Sequence, residues 1–210
     1  MTQVVLASAS PARSATLAKA GIAHRVVVSD VDEDAVLTQA RRTGPVPVAE
    51  AVLLLARAKA EAVATTANVT IGCDSLLEFD GQPHGKPGTA ARARQRWREL
   101  RGRTGVLNTG HWLIFPDGTT AGATARTTIR FADVTDSEID AYVATGEPLT
   151  VAGGFTIDGL GAAFITTITG DPHAVVGISL PLLRELLNSH GIQWTSLWSR
   201  NGEASLSTHH

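Results

Sequence analysis

Val4–Leu17 reads VVLASASPARSATL, and the rest of the chain is arranged around it. Val4-Val5-Leu6 is a short apolar strand, and Ala7 to Ser10 are small or hydroxyl-bearing. Ser10 then fits a helix N-cap and Pro11 the first helical position, where a missing N–H costs nothing. A strand, a small-residue turn and a helix start place free N–H groups and the positive dipole end at the turn, which suits an anion. Arg13 is the only charged side chain from Met1 to Ala18 and falls in the first helical turn, against the dipole. It either shares an anion with those N–H groups or is a solvated arginine at an ordinary strand–helix junction. The stretch alone leaves both open.

Working outward, the chain alternates strands and helices. His24–Ser29 reads as a second strand and is followed by Asp30-Val31-Asp32-Glu33-Asp34, four acids in five residues. That run is a solvated acidic turn or a source of oxygen ligands for a hard cation. A helix runs from Val48 to about Thr65, with a stripe of Val52, Leu55, Ala56, Ala62 and Val63 at helical spacing. Lys59 falls inside that stripe, directed either outward along its stem or into a polar cleft. The cleft is the better reading, since Arg57 and Glu61 already form an i,i+4 surface pair.

Asn68–Phe79 reads as an interrupted strand with Val69, Ile71, Cys73, Ser75, Leu77 and Phe79 on one face. Asp74 sits mid-strand on the other face, next to Gly72 and Leu76. An acid among apolar neighbours calls for a partner or a chemical role. Gly85-Lys86-Pro87 is no P-loop, because Pro87 stands where Ser or Thr is needed. Lys86 is a surface lysine or a phosphate contact near Asp74. Thr89–Leu100 is an arginine-rich helix that reads as a solvated face. Gly105–Phe115 and Thr119–Val134 form an antiparallel hairpin, and Thr135-x-x-Glu138 is a capping box. Val151–Ala163 carries Gly153, Gly154, Gly159 and Gly161, a backbone that bends sharply or approaches a ligand. Phe164–Ile168 is a strand and Ser179–His190 a closing helix. Residues 1–195 read as one domain and 196–210 as a polar tail, whose terminal His209-His210 receives no role.

The 210 residues are 43% hydrophobic and 18% charged, enough apolar material for a core. A net charge of -2 gives no field for nucleic acid, and no apolar run approaches a membrane span. A single cysteine, Cys73, excludes an intrachain disulfide and, with no signal peptide in view, points to the cytoplasm. The pattern predicts an α/β domain with a mixed twisted sheet flanked by helices.

Several segments resemble, in order, the Maf family of septum-formation-inhibitor-like nucleotide pyrophosphatases. They are Leu6-Ala7-Ser8-Ala9-Ser10-Pro11-Ala12-Arg13, Asp32-Glu33, Ala56-Arg57-Ala58-Lys59-Ala60, Cys73-Asp74-Ser75, Gly85-Lys86-Pro87 and Thr109-Gly110. Gly146-Glu147-Pro148, Ala152-Gly153-Gly154-Phe155, Gly159-Leu160-Gly161 and Val175-Val176-Gly177-Ile178 complete the series.

The resemblance implies an elongated, two-lobed architecture like that of inosine triphosphate pyrophosphatases, with a central cleft. It implies hydrolysis of a nucleoside triphosphate between its α and β phosphates, with Mg or Mn as divalent cation. Ser8, Ser10, Arg13, Lys59 and Lys86 would hold the triphosphate, and Gly153 and Gly154 would let the backbone pass close to it. Glu33 and Asp74 would ligate the metal, with Asp74 also the general base. Ala12, Ser75 and Asp158 stand at positions tied to base choice and depart from the family pattern, so the preferred base does not carry over. A homodimer is implied as well. A reading from another class is a non-catalytic, nucleotide-sensing or partner-binding regulator of septum formation.

Overall fold

The computed structural model describes residues 3–199. In chain order the elements are β1 (Gln3–Ala7), α1 (Pro11–Lys19), β2 (His24–Val26), α2 (Glu33–Ala40), α3 (Val48–Val63), β3 (Asn68–Phe79) and β4 (Gln82–His84). There follow α4 (Ala90–Leu100), β5 (Thr104–Ile114), β6 (Thr120–Phe131), α5 (Asp136–Ala144), β7 (Ile165–Thr169), α6 (Pro172–Val176) and α7 (Leu180–Asn188). One sheet runs β2-β1-β3-β5-β6-β7, and β4 folds back on the end of β3. β1 pairs parallel with β2 and β3, and the other pairings are antiparallel. This is the mixed α/β sheet flanked by helices that the alternation predicts.

α3 crosses the sheet at unusually short range. A Cβ on Gly72 of β3 would collide with the Ala56 carbonyl, and one on Gly110 of β5 with the Val52 carbonyl. The two glycines thus let helix backbone rest on strand backbone.

The apolar residues form two cores. One gathers Leu6, Leu17, Ile71, Leu113 and Leu183; the other gathers Leu77, Trp97, Leu107, Phe131, Tyr142 and Phe155. Trp97 is fully buried, meets Phe131 and Tyr142 edge-on, and donates its Nε1–H to Gly154 O at 2.8 Å. β3 threads both cores, with Ile71 in the first and Leu77 in the second. Asp74, Ser75 and Leu76 fall at the joint, which is how two lobes leave a cleft between them.

Several local expectations need correction. The acidic run is not a turn: Asp32 caps α2, accepting from Ala35 N, and Glu33 opens the helix. No residue of α2 is buried, so no apolar period marks it. β2 ends at Val26 rather than Ser29, and β3 has no interruption, since Asp74 pairs in register with Gly110. On α3 Ala62 is exposed; the buried stripe is Val48, Ala51, Val52, Leu55, Ala56 and Ala60. The arginines in and just after α4 form the expected solvated face and add ion pairs to it: Arg94 reaches Asp140, Arg98 and Arg101 reach Asp136, and Arg103 reaches Asp80. At the expected tail, Leu197 joins the first core, Trp198 bridges Ile22 and Ser199 N donates to Gly21 O. Positions 200–210 lie outside the described residues.

Candidate active site

The joint between the cores opens into a cleft of about 640 Å³. Its first wall is the β1–α1 turn, residues Ser8 to Arg13. Ser10 caps α1 and Pro11 occupies its first turn, as the sequence predicts. Arg13, however, turns inward and is only 9% exposed. Its Nε donates to Gly177 O at 2.8 Å, and its Nη1 donates to Cys73 O at 2.8 Å and Ser8 Oγ at 3.0 Å. Its Nη2 donates to Ser75 Oγ at 3.1 Å. These bonds commit most of the guanidinium's donors to the protein itself. The solvated-arginine reading is therefore wrong, and Arg13 first of all joins three segments of the fold.

The cleft floor is charged. Lys59 Nζ lies 2.6 Å from Asp74 Oδ1 and 2.7 Å from Glu33 Oε1, so one ammonium bridges two carboxylates from two other elements. Asp74 is 7% exposed. Burial raises its carboxyl above the ordinary value, Lys59 and Arg13 pull it back, and Glu33 adds to the rise. Glu33 is half-exposed at the rim. Lys86 lines the cleft from the β4–α4 loop and forms no ion pair among the described residues. Burial pushes the neighbouring Cys73 thiol up to about 11, which leaves it unreactive.

Ser75 belongs to a directed hydrogen-bond chain. Thr109 Oγ1 donates to Ala174 O at 2.8 Å, so its 3.0 Å contact with Ser75 has Ser75 as donor. Protons thus point from Arg13 through Ser75 and Thr109 to the carbonyl of α6. Val175 and Val176 of α6 line the cleft, so this chain ties the floor to the wall.

A further part of the lining is Thr150 to Ala152 and Phe155 to Asp158. Ala12, Ser75 and Asp158 therefore line one common cleft. Gly153 and Gly154 do not line it. Their φ values of 73° and 79° belong to a turn packed on Leu77, Phe155 and Pro87, with Gly153 N donating to Gly85 O. They shape the wall from behind, because the turn directs their backbone toward the second core.

Two side chains with no signal of their own in the sequence also organise the site. Thr109, within Thr109-Gly110, is one of them. His111 is fully buried on β5, accepting Ser179 N–H on Nε2 at 2.8 Å, so its Nδ1–H donates to Thr109 O at 3.0 Å. Burial, with Arg13 adding to it, lowers its pKa to about 4. Neither residue carries a local signal, because the contacts that give them this role, Ala174 and Ser179, lie more than sixty residues along the chain and Ser75 lies across the sheet.

No cluster of three or more His, Cys, Asp or Glu that could hold a metal occurs among the described residues. No helix among them is long and apolar enough to cross a membrane.

Residues 3–190 match the family model described as Maf-like protein. A nucleoside triphosphate pyrophosphatase of Salinispora tropica is 53% identical over 94% of this chain and 88% of its own length. One from Leifsonia xyli is 51% identical, covering 95% of this chain and 98% of its own. Among solved structures, the Staphylococcus aureus Ham1 protein aligns with a TM-score of 0.47 at 15% identity, over 94% of each chain.

Proposed function

The chain belongs to the family of Maf-like proteins, and on that premise we propose that it is a nucleoside triphosphate pyrophosphatase, releasing the monophosphate and pyrophosphate. The observation that carries this reading is the Glu33–Lys59–Asp74 bridge at the floor of a cleft walled by a helix N-terminus. Attack of water on a phosphoryl group needs little covalent chemistry from a protein. It needs charge to be neutralised and the nucleophile to be positioned.

Lys59, Lys86 and the Ala12 N–H offer that neutralisation, the Ala12 group being the one in the first turn of α1 that is not already bonded to Ser10 among the described residues. Ser8 and Ser10 supply hydroxyls at the same turn. Arg13 acts mainly through the bonds that hold Ser8, Ser75 and Gly177, with its remaining donor capacity available to phosphate. Asp74 is the base. Its Oδ1 is held by Lys59, while no protein donor reaches Oδ2 among the described residues. A carboxyl whose proton affinity is raised by burial accepts a proton from water more readily than a solvated one.

A divalent cation, Mg or Mn, fits the donor set. Glu33 and Asp74 are hard oxygen donors already gathered around one positive charge, and two carboxylates completed by phosphate oxygens are how such ions are held in nucleotide sites. When bound, the cation would neutralise phosphate charge in support of the attack. A cytoplasmic homodimer is part of the same proposal.

The test is a panel of nucleoside triphosphates incubated with Mg²⁺ or Mn²⁺. Pyrophosphate with monophosphate is expected, and orthophosphate with diphosphate would remove the α–β assignment.

A further inference from the structure

Glu147 takes no part in the charged floor, yet it is the most heavily hydrogen-bonded carboxylate among the described residues. Its Oε1 accepts from Tyr142 Oη at 2.8 Å, Thr156 Oγ1 at 2.6 Å and Gly161 N at 2.9 Å. Its Oε2 accepts from Leu160 N at 2.9 Å. Two side-chain hydroxyls and two successive backbone N–H groups thus converge on one anion. The N–H pair makes a nest of the kind that binds free anions.

The surroundings are shaped to this carboxylate. A Cβ on Gly159 would come within 2.5 Å of Glu147 Oε2, and one on Gly161 would collide with the Tyr142 hydroxyl. Both glycines are needed for the chain to wrap so closely. Burial alone would raise the pKa of Glu147, but the bonds from Thr156, Gly161, Leu160 and Tyr142 outweigh it and hold the group down to about 2. The nest therefore stays charged at any working pH.

The spacing of these bonds matters for the cleft. Thr156 begins a short loop and Leu160-Gly161 ends it, and both ends are pinned to the same side chain. Between the pins lie Ile157 and Asp158, which line the same cleft as Ala12. Tyr142 anchors the assembly to the second core through its edge-on contacts with Trp97 and Phe164. A loop closed at its base by three bonds to one anchored carboxylate presents its tip in one place. An unpinned one would sample many positions and pay that ordering entropy on binding.

From this arrangement, and resting on the reading of the cleft as a triphosphate site, we infer that Glu147 is a positioning residue for nucleotide selection. It fixes the Ile157–Asp158 tip against the bound nucleotide without touching the reacting atoms. Discrimination among nucleotides then depends on Glu147 as well as on the side chains at the tip.

The test compares wild type with Glu147→Gln and Tyr142→Phe. Gln keeps the length but turns one acceptor into a donor facing an N–H or a hydroxyl, which breaks the nest. On the nucleotide panel, Glu147→Gln should raise KM for the preferred triphosphate about tenfold, with a smaller change in kcat, and flatten the ranking of nucleotides. Tyr142→Phe, which removes one bond of four, should shift both the same way by less. An unchanged ranking and KM, with only Tm lowered, would make Glu147 purely structural and overturn the inference.

Amide exchange at Ile157–Gly161 reads the clasp without turnover. It should quicken in Glu147→Gln, and unchanged exchange would overturn the clasp even if wild type hydrolysed no triphosphate. Failure of the wild-type panel with quickened exchange would count against the pyrophosphatase reading, and so against nucleotide selection, while leaving the clasp.

Discussion

Lys59 Nζ stands 2.6 Å from Asp74 Oδ1 although the two belong to different layers, helix α3 and strand β3. The distance follows from Gly72, which shares a strand face with Asp74 and admits the backbone of Ala56 and Ala60 to within contact. One turn of helix carries Lys59 alongside, and the next residue on that strand face is the acid.

Asp74→Asn should lower kcat by about 100-fold or more while leaving Tm near wild type, since Asn keeps the shape and can still accept from Lys59. Steady-state kinetics beside thermal denaturation check this; activity at the wild-type level would remove Asp74 from catalysis.

Lys59→Met should move the acid limb of the kcat/KM profile to higher pH. Lys59 opposes the rise that burial imposes on Asp74, so without it the carboxyl holds its proton further up the pH scale. An unmoved acid limb would show that another group titrates there.

Arg13→Ala and Lys86→Ala should part company. Loss of Arg13 leaves Gly177 O, Cys73 O, Ser8 and Ser75 without their donor, costing about 3 kcal/mol or more of stability along with activity. Lys86 has no such partners among the described residues, so its removal should raise KM about tenfold, the worth of one charge-assisted bond, with Tm unchanged. Denaturant titration and kinetics on both variants decide it.

His111 should make the fold acid-sensitive between pH 6.5 and about 4. Its folded pKa is depressed, so in that window the unfolded chain binds the extra proton and stability falls as pH falls. Protonating Nε2 would set an N–H against the Ser179 N–H that it now accepts. The contribution is on the order of 3 kcal/mol, complete below pH 4. His111→Asn should be less stable at neutral pH but show a flatter slope across the window.

Much of the chain was legible residue by residue, and for local reasons. Ser10-Pro11 and the Thr135–Glu138 capping box mark helix starts because a cap is satisfied within three residues, and both are formed. The alternation of Val69, Ile71 and Cys73 marks β3, and Lys59 betrays itself by interrupting an apolar stripe. The Asp74 carboxylate stands out because strands disfavour it. α2 escaped because nothing on it is buried, and β4 because three residues carry no pattern.

The rest depends on distance along the chain. The place of Arg13 after the turn leaves open whether it meets an anion or solvent. Its direction is set by Gly177 O, 164 positions away, together with Cys73 O and Ser75. Gly153 and Gly154 mark a sharp bend or a close approach, and only the packing on Leu77 and Pro87 shows what the bend rests on. Glu147 sat in plain view within Gly146-Glu147-Pro148. Its use appears only when the loop from Thr156 to Gly161 closes over it. Caps and periods are short-range bonds that a sequence displays directly, whereas a side chain's aim is settled by whichever distant donor or acceptor the folded sheet brings within 3 Å of it.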